Sequence, residues 1–212
     1  MTPQEEIKQL IDKINDELAH LHSVHLTFMK LYRGDQETRD LIHDSDSAFF
    51  HDLLFVYLDY ISISVSRLLD PEKSMGKWNL SLFTLASMTR DFGLDKAQDY
   101  KTRFTECKKK AYNFTEPRNQ LVAHLDFDTN ISSKGRCIPS FITDEFNEFY
   151  ETIAGILNDI RKDIGLDPYM YEWGIVGHGH GGKLLSRLKT AQKYFEQAHS
   201  SKPLPATPPE AG

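Results

Sequence analysis

The stretch Arg118-Asn119-Gln120-Leu121-Val122-Ala123-His124-Leu125-Asp126 brings an arginine, a side-chain amide, a histidine and a carboxylate close together. Arginine offers a permanent, planar fork of donors that fits phosphate oxygens. Histidine exchanges a proton near neutral pH. Together they are the tools needed to hold and cleave a phosphodiester.

The spacing upstream says where the arginine falls. Tyr100, Phe104, Cys107, Ala111 and Phe114 follow one another in steps of four, three, four and three, the rhythm of a buried helical seam. Its continuation gives Arg118, Leu121 and Leu125, so Arg118 takes a place meant for an apolar residue. A buried arginine requires a carboxylate, an anionic ligand or a water-filled cleft. Pro117 just before it predicts a kink or a restart of the helix, with Thr115 as the new N-cap.

Arg118 and His124 are six residues apart, about 9 Å of rise and roughly 120° of misalignment on a straight helix. One helix therefore does not aim both groups at one phosphate. A second copy alongside closes the gap, which favours a homodimer with a composite site. A structural reading stands beside this one. Asp126 or Glu116 can pair with Arg118, and His124 can cap the helix end, where a cation is favoured.

Lys101, Arg103, Lys108, Lys109 and Lys110 precede the motif on the same helix. They can guide an RNA backbone, or form an ordinary solvated face. Arg67 beside Asp70 reads as a structural pair. His178 and His180 lie in the tract Gly177-His178-Gly179-His180-Gly181-Gly182, which reads as a linker rather than a metal site, since no thiolate or fixed geometry accompanies it. No strand or Gly-Lys-Ser/Thr ending makes that tract a phosphate loop. His20, His22 and His25 share one helix, where surface or core roles fit better than ligation. No metal and no cofactor are expected.

The elements that must position the motif are helical. At 212 residues the chain suits one domain with a full core, and its net charge of −6 argues against a generally basic nucleic-acid coat. Cys107 and Cys137 are too few for a disulfide framework or thiolate zinc site. The acidic start is unlike a secretory signal, and no run approaches the roughly 18 apolar residues of a membrane span, so a reducing cytoplasm is the expected compartment.

Helices are predicted over about 3–32, from about Asp44 to Leu69, over Ser81–Met88, from near Leu94 to the motif, from Thr143-Asp144-Glu145 to about Ile164, and over about Lys183–Ala198. The second, with Phe49, Phe50, Leu53, Leu54, Tyr57, Leu58, Ile61, Val65 and Leu68, reads as a central, largely buried helix. Asp128–Ser140 reads as loop. The fold class is all-α: an up-and-down bundle of four to five main helices plus a C-terminal helix. Residues 1–170 form the bundle, 171–199 a Gly/His-rich linker and the last helix, and 200–212 a disordered Pro-rich tail.

Over residues 5–165 the chain resembles a HEPN domain, a helical family of ribonucleases and nucleotide-binding modules. The family's motif is an arginine, usually followed by a polar residue, and then a histidine after a total gap of four to six residues; Arg118, Asn119 and His124 match it. Ser66-Arg67-Leu68-Leu69-Asp70-Pro71, Asn79-Leu80-Ser81-Leu82 and Ala123-His124-Leu125-Asp126 further resemble the AbiU-type branch linked to phage abortive infection. Pro117 before the arginine is a departure from the pattern.

The resemblance implies a HEPN-like fold and metal-independent RNA cleavage by a dimer, as a toxin or phage-defence effector. In it His124 moves the proton, Arg118 holds the phosphate, Asn119 orients either, and Asp126 fixes the histidine tautomer. RNA and an antitoxin protein are the implied partners. The alternative it leaves open is a non-catalytic module that binds a nucleotide or a protein.

Overall fold

The first three helices of the bundle each start where a short polar side chain satisfies free N–H groups. The computed structural model describes residues 2–121, 141–171 and 181–200, with backbone alone for 113–121, 141 and 200. Helix α1 spans Pro3–Tyr32. Thr2 caps it: its hydroxyl accepts from Glu5 N–H, and the Glu5 carboxylate accepts from Thr2 N–H at 2.6 Å. Ile7, Ile11, Ile14, Leu18, Leu21 and Phe28 form its buried stripe.

Helix α2, Gln36–Leu68, begins eight residues before the predicted start and breaks at Asp46, whose φ of −169° and ψ of 91° are extended. The Asp46 carboxylate accepts from Phe49 N–H at 3.0 Å and so caps the second half. Asp35 caps the first, accepting from Thr38 N–H at 2.9 Å. One expectation is corrected here. The second half is not buried throughout, for Phe49 and Val56 are 56% and 61% exposed. The sequence holds no unbroken apolar run of membrane length, yet by length and composition alone α2 contains a stretch apolar enough to cross a membrane, and 28% of that stretch is buried in the fold.

The predicted loop after α2 contains a small hairpin, β1 (Lys73–Ser74) and β2 (Lys77–Trp78), in antiparallel register. Met75 and Gly76 form its turn with φ of 50° and 77°, the mirror-image geometry that suits a two-residue hairpin. Helix α3 spans Leu82–Asp91 and is capped by the buried Ser81 hydroxyl. Helix α4 spans Ala97–Leu121 as one element, so it does not restart at Pro117. A π-helical turn, Phe141–Glu145, leads into α5, Phe146–Asp163. The last helix, α6, spans Gly182–Ser200.

The helices pack as an all-α bundle. Tyr32 donates to the Phe50 carbonyl and His20 meets Tyr60, so α2 returns antiparallel along α1. Gln4 donates to the Ile164 carbonyl while His25 meets Ile142, so α5 is antiparallel to α1 as well. Lys96 and Tyr100 hold Asp163 at one end of α4, and Lys110 holds Glu148 towards the other. The main core joins all five helices, α1 to α5. Tyr171, the first residue of the predicted linker, is part of it and donates to buried Asn15 at 2.6 Å. A second, smaller cluster of Leu31, Leu41, Ile42, Phe50 and Leu185 seats α6 on the first half of α2.

Candidate functional site

The seam read from α4 is present. Tyr100, Phe104, Cys107 and Ala111 are each no more than 3% exposed. Since the same helix continues to Leu121, the backbone of Arg118 comes seven residues and about two turns past Ala111. That is 20° from the line of the seam. Pro117 brings no N–H to the ladder, so the carbonyl of Asn113 loses its helical donor one position before the arginine. Asn119 follows in the last turn of α4. His124 and Asp126 lie outside the described residues, as do His178 and His180.

The basic strip upstream divides into two. Arg103 donates to Asp159 at 2.7 Å, and Lys110 pairs with Glu148 at 2.6 Å. Both bonds cross to α5, flanking a groove of about 330 Å³ over Cys107. These cations hold two helices together, at the modest value of exposed pairs. Burial pushes the Cys107 thiol up, which makes it a poor nucleophile at neutral pH.

The other side of α4 differs. Lys101, Thr105 and Lys108, spaced i, i+4 and i+7, line a groove of about 340 Å³ against Phe83, Ser87 and Glu72. The Lys108 ammonium donates to the Leu69 carbonyl at 3.0 Å, at the C-terminal end of α2, and stands 5.3 Å from the Phe83 ring centre. Lys101 and Lys109 are exposed and form no ion pair among the described residues. Asn119 lies eighteen residues, or five whole turns and about 27 Å, beyond Lys101. On a regular helix the backbone of Asn119 thus falls on the side of this groove, about 100° from that of Arg118. Arg67 is exposed at the end of α2.

Two of the three α1 histidines have core roles that sequence spacing did not assign. The His25 ring is 1% exposed, stacks 4.0 Å from Phe146, and donates Nε2–H to the Ile142 carbonyl at 2.6 Å. A carbonyl only accepts, so the proton is on Nε2, and the buried Nδ1 has no hydrogen-bond partner among the described residues. The His22 ring lies 3.8 Å from that of Tyr150, whose hydroxyl burial pushes up to about 12. These contacts fix the π-turn where the chain enters α5, the far end of the segment that carries His124 and Asp126. The only sequence signal was their shared helical face with apolar neighbours.

Burial holds the His25 imidazolium below the usual histidine range, its bond to Ile142 opposing this in part. The unfolded chain therefore takes up a proton near the ordinary value, while the fold resists until lower pH. Stability should thus fall as pH drops below about 6.5. Urea midpoints at pH 7.5 and 5.5 test this. His25→Gln, which keeps an N–H for the Ile142 carbonyl, should reduce the difference, and an unchanged difference would exclude His25 as its source.

Comparison of the chain with family models, with curated proteins and with solved structures finds no match. Among the described residues no group of three or more His, Cys, Asp or Glu side chains is placed to hold a metal.

Proposed function

We propose that this chain is a HEPN-type endoribonuclease, working as a cytoplasmic homodimer in defence or stress. One observation carries the reading: an unbroken α4 returns Arg118 to the side of the helix that buries Tyr100, Phe104, Cys107 and Ala111. An arginine at such a place needs an anionic companion, and a phosphodiester supplies one.

In this mechanism His124 takes the proton from a ribose 2′-hydroxyl. The 2′-oxygen bonds to phosphorus, the bond from phosphorus to the 5′-oxygen breaks, and the leaving oxygen receives a proton. Arg118 holds the non-bridging oxygens as negative charge grows on them. Asn119 orients the phosphate or the imidazole, and Asp126 fixes its tautomer. Lys101 and Lys108 guide the strand along the groove between α4 and α3, whereas Arg103 and Lys110 serve the α4–α5 contact. An antitoxin protein is the natural partner for restraint of such an activity.

That division of the basic strip also favours a second reading, a non-catalytic module for a small anion such as a nucleotide, because fewer cations remain for a long strand. Incubation of the protein with mixed RNA oligonucleotides in EDTA separates the two. Products ending in 2′,3′-cyclic phosphate and 5′-hydroxyl support the nuclease. Intact RNA together with nucleotide binding in calorimetry supports the module.

A further inference from the structure

The starts of α1 and α4 both lie beside the end of α5, away from the end of α4 that carries Arg118. There the first turns of α1, the hairpin and α3 enclose a cavity of about 650 Å³. This lies within the range of small-molecule sites. Ile7, Leu10 and Met88 give it an apolar lining, and Trp78 and Phe92 stand at its mouth with 56% and 40% of their surface exposed. Two aromatic rings left open to water beside a cavity mark a surface that gains from being covered.

The charge of the lining is of one sign. Glu6 and Asp91 are its charged residues, and neither lysine nor arginine lines it. Glu6 in the first turn of α1 suits the helix dipole, but Asp91 ends α3, where a negative charge is disfavoured. Its ion pair to the adjacent Arg90, at 3.1 Å, is exposed on both sides and adds little. A cation in the cavity would relieve that placement. The Lys73 ammonium, 4.0 Å from the Trp78 ring centre, already covers one face of that ring, so Phe92 is the ring left for a further cation.

The wall that presents Trp78 is braced. Asn79 donates to the Pro71 carbonyl at 2.7 Å and to Ser74 at 2.9 Å. The buried Thr84 hydroxyl reaches the Asn79 carbonyl at 2.7 Å and lies 3.1 Å from that of Glu72. Little order has to be gained when a ligand arrives.

We infer that this cavity binds a small organic cation with an apolar body, an alkyl- or arylammonium. The carboxylates and Phe92 take the charged head, and the apolar lining beside Trp78 takes the hydrocarbon. The site is separate from the motif and does not depend on RNA cleavage.

The test uses the full chain carrying Trp173→Phe, so that Trp78 alone reports, titrated with hexyltrimethylammonium, hexanol and hexanoate at low salt. The ammonium should quench Trp78 saturably and bind about tenfold more tightly than hexanol, with hexanoate weaker still. Glu6→Gln with Asp91→Asn, both exposed positions, should bring the ammonium close to hexanol while leaving circular dichroism unchanged. Equal affinity for the three probes, no saturable quenching, or a preference that survives the double substitution would overturn the assignment.

Discussion

Replacing His124 with alanine is expected to lower the rate of RNA cleavage in EDTA by about 10²- to 10⁴-fold, the range for loss of a proton-transfer group. Binding of uncleaved RNA should change little, because the proposed mechanism gives the phosphate contact to Arg118. Arg118→Lys makes the complementary case. It keeps the charge but loses the planar fork, so it should cost about 10²-fold or more in rate and also weaken binding. Asp126→Asn should act through the imidazole, moving the pH profile more than the affinity. Cleavage that persists in the His124 variant would remove that residue from the mechanism.

The second large effect concerns the fold. Phe104 has none of its surface exposed and lies midway along the α4 seam. Phe104→Ala should cost about 3–5 kcal/mol, through lost transfer energy and a cavity that rigid neighbours cannot fill. Against a total of about 5–15 kcal/mol, much of the protein would then unfold near body temperature. Phe104→Leu keeps most of the volume and should cost about 1.5 kcal/mol or less. Urea denaturation of both variants gives the comparison; equal small losses would mean that α4 does not hold the core.

The helices were legible because their apolar positions repeat at helical spacing, and the α4 seam was readable to single residues. Three features were not. The first half of α2 shows only Leu41 and Ile42 as buried hydrophobic positions, too few for a stripe, and Asp44, Ser45 and Asp46 all look like caps. The hairpin has methionine rather than asparagine or glycine at a positive φ, so the usual turn signal is missing. The division of the basic strip depends on Asp159 and Glu148, which are 56 and 38 residues from their partners Arg103 and Lys110. Local sequence holds no trace of such pairings. For the motif itself α4 continues to Leu121, while the burial of Arg118 and its placing relative to His124 lie outside the described residues.

The break at Asp46 has a consequence for how the molecule opens. Among the described residues, Leu41 and Ile42 from the first half of α2 and Leu185 from α6 belong to a cluster of five buried residues, whereas thirty form the main core. Cooperative units follow buried contacts. Native-state hydrogen exchange should therefore show Gln36–Ser45 and α6 losing protection together, at lower free energy than α4. The bundle would then breathe through one corner while the helix that carries Arg118 stays closed.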